Sequence, residues 1–182
     1  MSQGEPLNLK EFIASLDIPV IVGGVSDYTT AMHMMRTGAV GVIVGAGDGI
    51  NGGEALGIQP APATAIADVA AARRDYLDET GGRYVHIIAD GEIYTSGNVV
   101  VAIACGADAV VLGSPLATAK EAAGKGYFWP SAAGHPRFPR GRVEPVSEAD
   151  PEQRPSLETL LYGPSSDPSG TQNFAGGLRR AV

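Results

Sequence analysis

The chain reads as an α/β domain in which parallel strands alternate with helices, and three observations lead there. Tyr84 to Ser114 reads as strand, helix and strand. An apolar run, Val85 to Ala89, stops at Asp90-Gly91; a helix from Asn98 to Cys105 follows and ends at Gly106; a second apolar run, Ala109 to Leu112, stops at Gly113-Ser114. Short runs that are apolar throughout suit strands covered on both faces. The unit also recurs. Ile18 to Gly47 can be laid on Val85 to Ser114 with one residue inserted at Glu92, so that Val20-Ile21-Val22 falls on Ile87-Ile88-Ala89, Gly38 on Gly106, and Val42-Ile43-Val44-Gly45 on Val110-Val111-Leu112-Gly113. Finally, 182 residues with 44% hydrophobic content suffice for one globular domain but fall short of the ~250 of a typical eight-fold barrel. A repeated βαβ unit marks a barrel or a doubly wound sheet, and in both ligands meet the carboxyl ends of the strands.

The elements follow in order. Asn8 and Glu11 form a capping box for a short helix, Leu9 to Leu16, ahead of a strand from Pro19 to Val22. Asp27 caps a helix from Tyr28 to Arg36, and Gly41 to Val44 is the next strand. Gly45 to Pro62 is too rich in glycine for a helix, and a loop of more than ~12–15 residues in a compact domain is usually functional or disordered. Ala63 to Glu79 is an alanine-rich helix stopped by Gly81-Gly82. The second βαβ unit comes next, its helix capped by Thr95 or Ser96, and Ala117 to Ala123 is a short last helix. From Gly124 the text turns rich in proline and glycine without periodicity, so residues 1–123 read as the β/α part and 124–182 as an irregular arm with one short helix, Ser156 to Tyr162.

Composition excludes several functions. A net charge of -7 argues against a nucleic-acid or anionic-membrane surface. No apolar run approaches the ~20 residues that span a bilayer, and no signal-peptide pattern opens the chain. A single cysteine, Cys105, rules out an internal disulfide and suits a cytoplasmic protein. His33, His86 and His135 lack metal-ligand spacing.

ADGEIYTSGNVVVAIACGADAVVLGS (Ala89 to Ser114) resembles the strand 7 to strand 8 region of the IMP dehydrogenase/GMP reductase family, whose text there is a variant of ADGGI, a spacer, a helix start, ALA-GA and V-x-GS. VIVGGV and TGAVGVIVGAGDG resemble that family's strands 5 and 6 with the start of its catalytic loop, and AGGLR near the end resembles its C-terminal segment. The resemblance implies a (β/α)8 TIM-barrel fold, here its C-terminal four βα units (strands 5–8) followed by the arm. It also implies a purine 5'-monophosphate ligand, NAD or NADP as cofactor, and a homo-oligomer or a partner chain supplying the other half-barrel. By the same resemblance Asp90 holds the ribose hydroxyls, while Gly91, Glu92, Gly113 and Ser114, with Gly45 and Gly47 at the preceding strand exit, line the phosphate and substrate site. The chemistry is apt: amides at a turn donate to an anion, and a carboxylate accepts two vicinal hydroxyls.

The departures from the family pattern bear on catalysis. The family's nucleophilic cysteine position falls on Gly52, so the covalent thioimidate has no thiol here. Gly24 replaces a common asparagine, Glu92 replaces a glycine, and Gly124 to Pro155 has no match to the flap's Arg-Tyr pair. These features resemble a divergent, cysteine-less actinobacterial branch. Three functions stay open: a catalytically impaired purine-nucleotide oxidoreductase, a non-catalytic nucleotide-binding or regulatory protein, and an FMN-dependent barrel oxidoreductase, since FMN phosphate is gripped by a similar β7–β8 unit. Asp48 and Glu54 read as solvated loop carboxylates, Cys105 as a small buried residue, and His33 as outer-face packing. Arg137, Arg140 and Arg142 read as solvated, and Tyr127, Phe128 and Trp129 as cover for a sheet edge.

Overall fold

The structure is a computed structural model that describes residues 7–45, 60–91, 93–134, 136–137, 141–163, 173–175 and 178. Four parallel strands form its centre: β1 (Ile21–Val25), β2 (Gly41–Val44), β3 (His86–Asp90) and β4 (Ala109–Val111). Their spatial order is their chain order. A doubly wound sheet reverses order at a switch point, whereas barrel strands run consecutively, so the order selects four units of a barrel over the doubly wound alternative.

Helices α1 (Leu9–Ala14), α2 (Tyr28–Met35), α3 (Pro62–Thr80) and α4 (Ser96–Ala104) flank the sheet. Each has a local reason to start. Asn8 accepts from the Glu11 amide at 3.3 Å, Asp27 from that of Thr30 at 2.9 Å, and Thr95 from that of Asn98, whose side chain returns the bond to complete a capping box. Pro62 opens α3, where a missing N–H costs nothing, and Gly81 closes it in the left-handed conformation at φ 70°. Ala65, Ile66, Val69, Ala70 and Tyr76 form its buried stripe at helical spacing.

The two halves of the repeat match in structure as well as in text. Asp27 and Thr95 are the equivalent N-caps, and Gly38 (φ 101°) and Gly106 (φ 113°) are the equivalent helix ends. Gly106 has a second constraint: a Cβ there would lie 2.7 Å from that of Ala70, because α4 ends against α3.

The two faces of the sheet differ. Val22, Val25, Val42, Val44, Ile87 and Ala89 point toward the helices and are buried. The opposite face carries Ile43 and Ile88, half-buried, with Ile21 51% and Val111 39% exposed. In a closed barrel this second face is the packed interior.

Some boundaries depart from expectation. β1 runs on to Val25, since Val25 still pairs with Val44 across a register shift after Gly23. The helix expected from Ala117 to Ala123 is not there: the last short helix of the β/α part is α5 (Ser114–Ala117), which Gly113 caps and Pro115 starts in its first turn, and 118–123 carry no helix. Beyond it, β5 (Tyr127–Phe128) and β6 (Glu144–Pro145) form an antiparallel ribbon of their own, so Tyr127 and Phe128 add no strand to the main sheet. The arm is anchored rather than free: the Lys120 amide donates to the Pro155 carbonyl, the Leu157 amide to Glu121, and Phe174 joins the core. The helix expected at Ser156 to Tyr162 is α6 (Leu157–Tyr162), capped by Ser156.

Candidate functional site

Parallel pairing brings all four strand exits to one end of the sheet. Asp90 is the last residue of β3 and the pairing partner of Val111. It follows Ala89, which faces the helices, so its carboxylate leaves on the inner face beside Ile88 and is half-buried. Gly91 turns the chain away at φ 113°. At the next exit Gly113 caps α5, its carbonyl accepting from the Leu116 and Ala117 amides at 3.1 and 3.3 Å. Ser114 and Pro115 occupy the first helical turn, where amides lie ahead of the helix's own carbonyls.

Gly45 lies closest to Asp90. Its amide donates to the Val25 carbonyl at 3.0 Å, its φ is 108°, and a Cβ there would fall on the Asp90 carbonyl oxygen. No other residue type fits, so this glycine fixes where the exit of β2 meets that of β3. The structure therefore gathers Asp90 and Gly91 with Gly45 directly and with Gly113-Ser114 one strand away. Gly47, Gly52 and Glu92, with Asp48 and Glu54, lie outside the described residues. One carboxylate, left-handed glycine turns and amides at a helical start can accept a diol and donate to an anion.

Other candidates lie elsewhere. Cys105 is the C-cap of α4 and packs against the core, at the opposite end of the sheet from Asp90, because a helix antiparallel to its strands ends where they begin. His33 is exposed on α2, and Arg137 and Arg142 are exposed in the arm. Among the described residues no group of three or more His, Cys, Asp or Glu side chains can hold a metal, and no helix is long and apolar enough to cross a membrane.

That opposite end holds a polar cluster that no sequence motif announces, since its members, Arg73, Tyr84 and Asp108, stand apart in the chain. Asp108 accepts from Arg73 Nη1 at 2.7 Å, from Tyr84 Oη at 2.5 Å and from the Ile87 amide at 2.8 Å. Arg73 also donates to Tyr84 Oη at 2.6 Å and to the Gly106 carbonyl at 3.2 Å, with its guanidinium 4.9 Å from the Tyr84 ring centroid. Burial pulls the Asp108 carboxyl upward, but the Tyr84 and Ile87 hydrogen bonds and the Arg73 charge outweigh it and hold the group below its usual range. The bond to Asp108 raises the Tyr84 hydroxyl in turn, with burial adding to it. In a barrel this end carries stability and the other end chemistry.

Comparison with known proteins fits this geometry. The family model for the IMP dehydrogenase / GMP reductase domain matches residues 3–134. An uncharacterized oxidoreductase of Mycolicibacterium smegmatis is 62% identical over 100% of this chain and 48% of its own length, and one from Mycobacterium tuberculosis is 61% identical over the same shares. The chain thus spans about half the length of these curated relatives. Inosine-5'-monophosphate dehydrogenase of Methanocaldococcus jannaschii is 38% identical over 64% of this chain and 22% of its own. The crystal structure of an IMP dehydrogenase/GMP reductase-like protein from Corynebacterium glutamicum superposes with TM-score 0.85 at 70% identity, covering 98% of this chain and 47% of that one. By fold, strand order and sequence, the chain belongs to the IMP dehydrogenase/GMP reductase family.

Proposed function

We propose that this chain carries the phosphate- and ribose-binding half of a purine 5'-monophosphate site in an IMP dehydrogenase-like oxidoreductase. The observation that carries the reading is Asp90 on the inner face at the end of β3, between the glycine exit of β2 and the capped start of α5. In this role Asp90 accepts the 2'- and 3'-hydroxyls, while amides around Gly91 and Gly113-Ser114 donate to the phosphate. Membership of the family and the kinship with oxidoreductases of twice the length support the reaction class.

The family implies NAD or NADP. Besides Asp90, the described strand exits hold one other carboxylate, Asp27 after β1, and it is engaged as the cap of α2 by the Thr30 amide and hydroxyl, so no step is assigned to that cofactor here. Catalytic impairment has its own support. The only cysteine is Cys105, at the far end of the sheet, so no thiol of this chain stands at the strand exits to attack purine C2.

Calorimetric titration of IMP and GMP against the chain and its Asp90→Ala variant tests the reading. Loss of hydrogen bonds to a charged acceptor, about 1.5–3 kcal/mol, should weaken binding roughly 10- to 100-fold. Equal affinity of the two proteins would remove Asp90 from the site.

A further inference from the structure

We propose that Asn98 is a positioning residue for the phosphate turn: its side-chain oxygen ties the end of that turn to α4 and so holds the Gly91 amide where an anion meets it. The inference deepens the nucleotide reading and rests on it. The turn joins Asp90, the last residue of β3, to Thr95, the cap of α4. Gly91 sets its start at φ 113°, and Ile93 is buried in the core. Asn98 sets its end. Asn98 Oδ1 accepts from the Tyr94 amide at 3.1 Å, from the Thr95 amide at 3.0 Å and from Thr95 Oγ1 at 2.9 Å. Two backbone donors meeting at one atom identify it as the oxygen of the side-chain amide, since its nitrogen could only donate.

A capping box accounts for only part of this arrangement. That motif needs one return bond, from the cap residue's own amide to the side chain three residues on. The bond from Tyr94 is additional and reaches one residue further back, into the turn itself. Helix α4 has no need of it, because the Tyr94 amide precedes the cap and is not one of the helix's own unmet donors. The internal repeat supplies the comparison. In the equivalent turn of the first unit Asp27 accepts from the Thr30 amide at 2.9 Å and hydroxyl at 2.7 Å, and among the described residues no side chain takes an amide from before that cap. The turn of the second unit is one residue longer, with Glu92 inserted, and it is the one beside Asp90.

The same bonds decide which amides are left for a ligand. Tyr94 and Thr95 donate to Asn98, and the Asn98 amide donates to Thr95 Oγ1 at 3.2 Å. The far end of the turn is thus closed to a phosphate. The Gly91 end remains to meet it, one strand from the start of α5.

Three variants of the 182-residue chain separate a grip on the turn from a helix cap. Asn98→Ala and Thr95→Ala both break the capping box, so a capping role alone would move both alike. Only Asn98→Ala releases the Tyr94 and Thr95 amides. Asn98→Asp keeps an accepting oxygen in place and serves as the rescue. Each is read by amide hydrogen exchange without nucleotide and by calorimetric titration with IMP. In Asn98→Ala the Tyr94 and Thr95 amides should exchange faster, and IMP binding should weaken about 10-fold, on the scale of a lost hydrogen bond. Thr95→Ala and Asn98→Asp should both bind IMP within roughly two-fold of the parent. Unchanged affinity in Asn98→Ala, an equal fall in Thr95→Ala, or no recovery in Asn98→Asp would overturn the proposal. A parent chain that binds no IMP while those two amides stay protected would instead bring down the nucleotide reading, and this role with it.

Discussion

Replacing Asp108 by alanine removes three hydrogen bonds from the amino end of the sheet: those from Arg73, from Tyr84 and from the Ile87 amide. The side chains of Arg73 and Asp108 are 16% and 28% exposed, so the pair lies between a solvent-exposed bridge, about 0–1 kcal/mol, and a buried one whose rupture costs about 3–5 kcal/mol. The Ile87 amide, at a buried residue, loses a partner as well, at about 1–3 kcal/mol. Together these give a loss of about 2–4 kcal/mol. The pH dependence follows from the directions of the shifts. Asp108 is held below its usual range, so its contribution is present above about pH 4 and is lost as pH falls through the folded value. Tyr84 is raised, so its contribution is present below about pH 10 and lost as pH rises through its own folded value. Urea unfolding followed by circular dichroism between pH 3 and pH 8 reads both the loss and its acid dependence. A variant as stable as the parent at pH 7, or an undiminished acid dependence in Asp108→Ala, would refute the account of this cluster.

Gly45→Ala should weaken nucleotide binding and lower the melting temperature together, because the added carbon falls on the Asp90 carbonyl oxygen at a backbone conformation that alanine disfavours; an unchanged melting temperature in a thermal scan would mean the β2 and β3 exits are not so closely apposed. Thr95→Ala removes the cap and half of the capping box of α4, and should cost about 1 kcal/mol in a denaturant titration while leaving the affinity for IMP within roughly two-fold; a large fall in affinity would place Thr95 at the ligand instead.

Much of the fold was legible because it repeats. Glycines at 38 and 106, with caps at 27 and 95, stand at matching places in the text, and the structure uses each pair alike. Boundaries were less legible where a tertiary ladder overrides local composition: Gly23-Gly24 reads as a loop, yet pairing with β2 carries the strand to Val25. The last helix was expected only from Ala117, but Pro115 in a first turn starts it at Ser114. The tie between Gly45 and Asp90 is a backbone contact, and no pattern of side chains announces it. Arg73, Tyr84 and Asp108 were invisible for a similar reason, since only the closing of β3 and β4 against α3 brings them together.

The claim at the centre of this account is that the carboxyl ends of the strands form the nucleotide site, and amide chemical shifts test it residue by residue. An isotope-labelled chain titrated with IMP should show shifts concentrated at Gly45, Asp90, Gly91, Gly113 and Ser114, with Ile87 and Asp108 at the other end of the sheet unmoved. Shifts centred on Asp108 and Tyr84, or none at saturating nucleotide, would contradict it.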